Sequence, residues 1–231
     1  MTSAPGEHPP LREALWADAK IYSGALMERP RFDTRVGFVR EAARLAFESD
    51  AFLALACYRL RTALRARGVP LLPSLLARGS RLLARLDVDD GAVLEPGVYM
   101  AHGFVRIGPG TRVGRGTILA PFTELGPERA GEAGPRLDSQ VMVGVGARIR
   151  GAVRVGLRSV VGANAEVASD VAPYTTVAGS PARLVRDRRD APEFQALAEA
   201  IRNLQRARAA GAALHPGDAG TVAPTTAPRG E

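Results

Sequence analysis

The sequence predicts a mainly β fold: a parallel β-helix of hexapeptide repeats with a helical region before it and a single helix after it. Three observations carry this. Set in sixes, residues 86–185 read VDDGAV, LEPGVY, a seven-residue MAHGFVR, IGPGTR, VGRGTI and LAPFTE, and then, after an interruption, LDSQVM, VGVGAR, IRGAVR, VGLRSV, VGANAE and VASDVA. An aliphatic residue opens the lines, at Val88, Leu94, Ile107, Val113, Leu119, Leu125, Leu137, Val143, Ile149, Val155, Val161 and Val167. Gly and Pro recur where a plain strand would be spoiled, and neither alternation nor a 3.6-residue period fits the pattern. A six-residue repeat is the signature of a β-helix whose coils each hold three short strands and three turns. The small fifth residue of a line (Ala92, Val98, Thr111, Thr117, Thr123, Ala147, Ser159, Ala165) is expected to pack inward beside the aliphatic one.

The elements follow in order. Residues 1–10 are read as a frayed leader and 11–86 as a helical domain. Leu11, Leu15 and Ala19 share a face of a first helix. Asp33 and Thr34 are cap candidates for a second, running through FVREAARLAFESD. In the third, AFLALACYRLRTALRARG, the spacing puts Leu53, Cys57, Leu60 and Leu64 on one apolar stripe, with Arg59, Arg61, Arg65 and Arg67 elsewhere and Gly68 as the stop. Pro70 and Pro73 mark a joint before a short helix, LLARGSRLLARL. The helical domain is expected to cap the open end of the solenoid, whose strand edge would otherwise be unpaired. The β-helix fills 87–185, broken by a loop at 126–136; a helix at 186–211 and a disordered tail at 212–231 complete the chain.

Composition narrows the function classes. The 231 residues are 46% hydrophobic and only 5% aromatic, as suits a core of stacked Val, Ile and Leu, and mean hydropathy is near zero. The formal charge is +7, from 31 Lys+Arg against 24 Asp+Glu, and nearly all the basic residues are arginine. Dispersed arginines without interleaved aromatics make a poor nucleic-acid platform, so no nucleic-acid partner is expected. A basic surface also attracts phosphorylated small molecules. The single cysteine, Cys57, rules out an intramolecular disulfide framework. No long uncharged apolar run and no secretory leader are read, so the cytoplasm is the expected location, with no membrane partner.

Of three histidines, His8 and His215 lie in the terminal segments, and only His102 stands within the repeats, in the seven-residue line. An imidazole working as a base needs a carboxylate to set its tautomer. Asp87, Asp89 and Asp90 lie about one coil upstream and are the candidates. One such histidine cannot assemble the several imidazoles of a metal enzyme, so no metal is expected. The loop after Leu125, GPERAGEAGPR, carries two glutamates and two arginines and, as a solenoid insertion, should border the binding face.

These residues together resemble the serine O-acetyltransferase family of hexapeptide-repeat acyltransferases. The likeness spans the CYRL helix, the joint before Asp87, the VYMAHGFVRIG coil, the loop after FTELG, the VMVGVGARIRGAVRVG coils and the closing VAGSPARLV. It implies a left-handed β-helix, acetyl-CoA or another acyl-CoA as co-substrate, and a homotrimer, with pairs of trimers formed through the helical domain in many members. By the same resemblance His102 is the general base and Asp87 the aspartate paired with it. Ala147, Gly151 and Ala163 fall where the family receives the pantetheine arm, and Arg183 where a basic group meets the phosphates. The departures are informative. The aspartate that precedes the family's base is Ala101 here, and the loop's Arg-His-Pro becomes Ala133, Gly134 and Pro135. Glu128, Arg129, Glu132 and Arg136 are then the substitute acceptor ligands. A free serine zwitterion would lose its charged partners at a high desolvation cost. The leading expectation is therefore a CoA-dependent O- or N-acyltransferase whose acceptor is not free L-serine. The alternatives are serine O-acetyltransferase of cysteine biosynthesis and a catalytically inactive scaffold.

Overall fold

The computed structural model describes residues 8–25, 34–101 and 103–188. His102, the leader through residue 7, Asp33, His215, the expected helix at 186–211 from residue 189 onward and the tail at 212–231 lie outside the described residues. Four helices come first: α1 (Leu11–Ala25), α2 (Arg35–Glu48), α3 (Asp50–Ala66) and α4 (Leu72–Ala84). Thr34 caps α2 by accepting from the Gly37 N–H at 3.1 Å, and Ser49 breaks α2 from α3 by accepting from the Phe52 N–H. The α3 helix stops at Gly68, whose φ of +71° suits a residue without Cβ.

The solenoid follows in five coils. The first holds β1 (Leu86–Val88), β2 (Val93–Leu94) and β3 (Tyr99–Met100), and the second β4 (Val105–Ile107), β5 (Arg112–Val113) and β6 (Ile118–Leu119). The third holds β7 (Thr123–Gly126), β8 (Arg136–Leu137) and β9 (Met142–Val143). The fourth has β10 (Arg148–Arg150), β11 (Arg154–Val155) and β12 (Val160–Val161), and the fifth β13 (Glu166–Val167) and β14 (Thr175–Ala178). A last strand, β15 (Arg183–Asp187), turns back antiparallel on β14. The strands stack into three parallel faces: β1-β4-β7-β10-β13, β2-β5-β8-β11 and β3-β6-β9-β12-β14. This is the β-helix that the repeats imply, with the N-terminal helical region and the left hand that the resemblance implies.

All twelve line-opening aliphatics are buried, from Val88 at 7% exposure to Leu94, Leu119, Val143, Ile149, Val155 and Val161 at 0%. Every small fifth residue is buried with them. Two of the hydroxyls among these bond locally, Thr123 Oγ1 donating to Ala120 O and Ser159 Oγ to Gly156 O, whereas Thr117 Oγ1 reaches Asp138 O on the next coil. The recurrent glycines have two separate jobs. At the fourth position the backbone takes a positive φ, as at Gly146 (+70°), but Gln140 and Asn164 adopt it too. At the second position the constraint is space: a Cβ on Gly144 would come within 2.6 Å of the Ala163 N.

Strand register locates each irregularity. Tyr99 pairs with Ile118, nineteen residues on, whereas Val105 pairs with Thr123, eighteen on, so one extra residue sits between Met100 and Val105. Arg112 pairs with Arg136, twenty-four on, which places six extra residues between Gly126 and Arg136.

The helices sit on the first coil, but not with the face the spacing selects. Ala51, Phe52, Ala54, Leu55, Tyr58, Arg59, Arg61 and Thr62 are the buried residues of α3, whereas Leu60 is 39% exposed and Leu53, Cys57 and Leu64 are half-buried. The predicted apolar stripe is therefore not the solenoid-facing one. Leu53 and Cys57 instead line a shallow apolar hollow against α4, where burial pushes the Cys57 thiol up. The reason is chemical. The surface that α3 covers is a strand edge of open carbonyls, and these need donors more than they need methyl groups. Tyr58 Oη donates to Ala92 O at 2.7 Å, Arg59 to Leu94 O and Glu95 O, Arg61 to Val88 O, and Tyr22 Oη to Met100 O. From α1, Asp18 Oδ1 accepts from the Gly97 N–H at 2.7 Å and its other oxygen pairs with Arg59 Nε at 3.0 Å, both side chains being almost wholly buried.

Candidate active site

Asp87 is the middle residue of β1, whose neighbours Leu86 and Val88 point into the core, so its half-buried carboxylate faces outward. It starts a row of alternating charge up that face, since Asp87, Arg106, Glu124, Arg148 and Glu166 are successive partners in register. Opposite charges directly across neighbouring strands stabilise a sheet. In sequence, residue 102 comes four positions before Arg106, the residue paired with Asp87. Asp87 and Arg106 belong to adjacent coils, and the extra residue found by register lies between Met100 and Val105.

Below Asp87 a cleft of about 360 Å3 opens between the first coil and the helices, walled by Arg61 and Arg65 of α3, Arg78 of α4, and Asp87, Asp89 and Asp90. Sequence reasoning passed over Arg78; it sits among the other arginines of its helix without a distinguishing pattern.

The remaining predicted residues fall in several places. Ala101 is half-buried, its N–H donating to Leu119 O at 3.0 Å, and its methyl group cannot supply the charge an aspartate would. Glu128, Arg129 and Glu132 are exposed in the loop, where Arg129 Nη1 lies 3.6 Å from Glu132 Oε1. Arg136 has left the loop for β8, on a second face where Arg112, Arg136 and Arg154 stack in register. That face carries a groove of about 430 Å3, with Asp138 bridged to Arg154 at 2.9 Å. Gly134 is more than a missing imidazole. A Cβ there would lie 2.7 Å from Pro109 O and 2.7 Å from the Thr111 N, so the returning loop lies flat on the coil below and leaves no room for a side chain.

On the later coils, Ala147 is fully buried, its N–H donates to Gly144 O, and its carbonyl accepts from the Glu124 N–H. Its methyl group therefore builds the inner wall and cannot meet a ligand. Gly151 borders open space, with nothing within 4 Å of the position a Cβ would take, and Ala163 is exposed. Arg183, at the start of β15, is exposed and among the described residues donates only to the neighbouring Ala182 O. Among the described residues no group of three or more His, Cys, Asp or Glu could hold a metal ion, and no helix is long and apolar enough to cross a membrane.

Five hexapeptide coils under a helical cap give the fold of the hexapeptide-repeat acyltransferases. The chain is 34% identical over 161 residues to the serine acetyltransferase of Synechococcus elongatus, covering 66% of each protein. It is 34% identical over 135 residues to the serine acetyltransferase of Helicobacter pylori, covering 57% of this chain and 79% of that one. No family model matches. Among solved structures, the Neisseria gonorrhoeae serine acetyltransferase in complex with serine superposes with a TM-score of 0.63 at 24% identity, over 76% of this chain and 69% of that one. The Brucella abortus serine acetyltransferase in complex with coenzyme A gives 0.64 at 22% identity, over 76% and 68%. These two likenesses bear on fold alone. The chain belongs to the serine acetyltransferase family.

Proposed function

We propose that this protein transfers an acetyl group from acetyl-CoA to the hydroxyl of L-serine, with His102 as general base and Asp87 as its positioning residue. The observation that carries the reading is the outward carboxylate of Asp87, in register with Arg106 of the irregular coil, in a chain whose relatives bear the name serine acetyltransferase. In the step, the serine oxygen attacks the thioester carbonyl and gives its proton to the His102 imidazole. A C–O bond forms, the C–S bond breaks, and the proton passes on to the departing thiolate. The Asp87 carboxylate would hold the imidazole in the accepting tautomer and stabilise its cationic form. Gly151, with open space beside it, and the exposed Ala163 fit the acyl carrier's narrow arm, and Arg183 its phosphates.

Assembly as a homotrimer is part of the same proposal. The third face of the solenoid supports it: Tyr99, Ile118, Met142 and Val160 form an apolar row in register, with Met142 48% exposed. Chain molar mass by light scattering tests it; a monomer with full activity overturns it.

The assay is release of free CoA from acetyl-CoA on adding L-serine. Substituting His102→Ala should lower turnover by about 10²- to 10⁴-fold while CoA binding persists; retained turnover removes the assigned role. With Asp87→Asn the acid limb of the rate profile should move to lower pH, because loss of the adjacent negative charge lowers the imidazole's affinity for its proton. An unmoved limb would mean that Asp87 does not face the base.

A second reading, an acceptor other than free L-serine, is favoured by one observation: Ala101 and Ala133 offer no charge and Gly134 has no room for a side chain. A screen of hydroxyl and amine acceptors with the same thiol readout separates the two.

A further inference from the structure

The cleft beside Asp87 holds three arginines and three aspartates, and most of them are committed to one another. Arg61 Nε lies 2.7 Å from Asp90 Oδ1, Arg65 pairs with the other oxygen of the same carboxylate, and Arg61 also donates to Val88 O. Asp89 accepts from the Gly91 N–H at 2.7 Å in a tight turn. Arg78 is the exception. It is exposed, lines the cleft from α4, and among the described residues has no carboxylate or hydrogen-bond acceptor as partner.

We propose that Arg78 binds the carboxylate of the acceptor. This rests on the reading of the chain as a transferase acting on an amino-acid hydroxyl at the Asp87 site. A guanidinium presents a planar fork that holds a carboxylate through two parallel hydrogen bonds, and it does so best from a rigid element. Arg78 stands on a helix, faces the same cleft as the positioning carboxylate, and has no folding role that a bound ligand would have to displace. The loop after Leu125 cannot take this part at Gly134, where backbone contacts exclude a side chain, and Ala133 carries no charge. With its carboxylate on Arg78 and its hydroxyl toward Asp87, an amino acid lies along the cleft, and about 360 Å3 accommodates a small one. Acceptor recognition is then supplied from the helical cap.

The test is a comparison of wild type, Arg78→Ala and Arg78→Lys on the full chain, with L-serine and with ethanolamine, which keeps the amine and hydroxyl but lacks the carboxylate. The expected result is a rise of about tenfold or more in KM for serine in Arg78→Ala, a much smaller change in kcat, no change in KM for acetyl-CoA and partial rescue in Arg78→Lys. Ethanolamine should respond little to either substitution. Wild-type turnover of serine with an unaltered KM in Arg78→Ala overturns the proposal and leaves the proposed function standing. If wild type does not acetylate serine, the functional reading fails instead. The same pair of variants is then compared on whichever acceptors the screen finds. Carboxylate-bearing acceptors weakened by Arg78→Ala support the proposal, and equal use of acceptors with and without a carboxylate overturns it.

Discussion

The two ends of the solenoid solve one problem in opposite ways. Both leave strand edges whose N–H and C=O groups need partners. At the C-terminal end the chain doubles back: β15 pairs antiparallel with β14 from Thr175↔Asp187 to Ala178↔Arg183, so backbone satisfies backbone. At the N-terminal end the cover is helical, and a helix has already spent its interior backbone groups on itself. It can cap only through side chains long enough to reach, which is why Asp18, Tyr22, Tyr58, Arg59 and Arg61 all lie buried under the first coil. A strand closes an edge with any sequence that pairs, whereas a helix needs particular residues. The helical end should therefore be intolerant of substitution and the strand end permissive.

The strongest test is Arg59. Its guanidinium joins Asp18 to the carbonyls of Leu94 and Glu95 in a dry site, so Arg59→Ala leaves a buried carboxylate and two carbonyls without partners. We expect a loss of about 3–5 kcal/mol in urea unfolding; a loss below about 1 kcal/mol, the range of an exposed pair, would dissolve the contrast between the ends. Burial pushes the Asp18 carboxyl up against the opposing pull of Arg59 and the Gly97 and Val98 amides, so this pair is not simply a favourable charge contact.

Next in size is Tyr58→Phe, which removes one donor and orphans Ala92 O, for about 1–3 kcal/mol by the same measurement. The same phenol gives the cap an alkaline signature. Burial pushes Tyr58 up to about 12 from 10.0. Above pH 10 the unfolded chain gives up this proton and the folded one does not. Stability should therefore fall as pH rises from about 10 towards 12. Thermal melts across that range should show the decline, flattened in Tyr58→Phe; an identical slope in both proteins would assign it elsewhere.

The smallest effect belongs to the other end. Leu184 and Val185 on β15 are 60% and 66% exposed, and Leu184→Ser should cost less than about 0.5 kcal/mol in the same denaturation, because it removes a side chain and no ladder bond. A cost comparable to that of Tyr58→Phe would show that the apolar side chains of β15, and not its backbone, hold the upper edge.

Much of this molecule is legible in the residue order. A hexapeptide line is a local code: each aliphatic buries itself directly above the one a coil earlier, so Leu94 and Val113, or Leu137 and Val155, need no knowledge of distant chain to be placed. The irregular coil at Met100–Arg106 and the six-residue insertion before Arg136 were visible for the same reason, as breaks in a count. The spacing of Asp87 and residue 102 was legible too.

What the order of residues could not disclose depended on what lies opposite. The buried face of α3 is chosen by the carbonyls of a strand edge thirty residues on, so Arg59 and Arg61 go inward while Leu60 faces water, against the apolar stripe that spacing selects. Ala147 turned out to be wall and not contact, because its backbone is used by the coil. Gly134 is sealed by the Pro109–Thr111 turn, and Asp90 takes Arg61 and Arg65 while Arg78 has no partner among the described residues. Periodicity determined the solenoid, since its core contacts repeat with the chain. The tertiary structure alone decided the helical cap and the walls of the cleft beside Asp87, where a side chain's surroundings are set by which polar groups meet it across the fold.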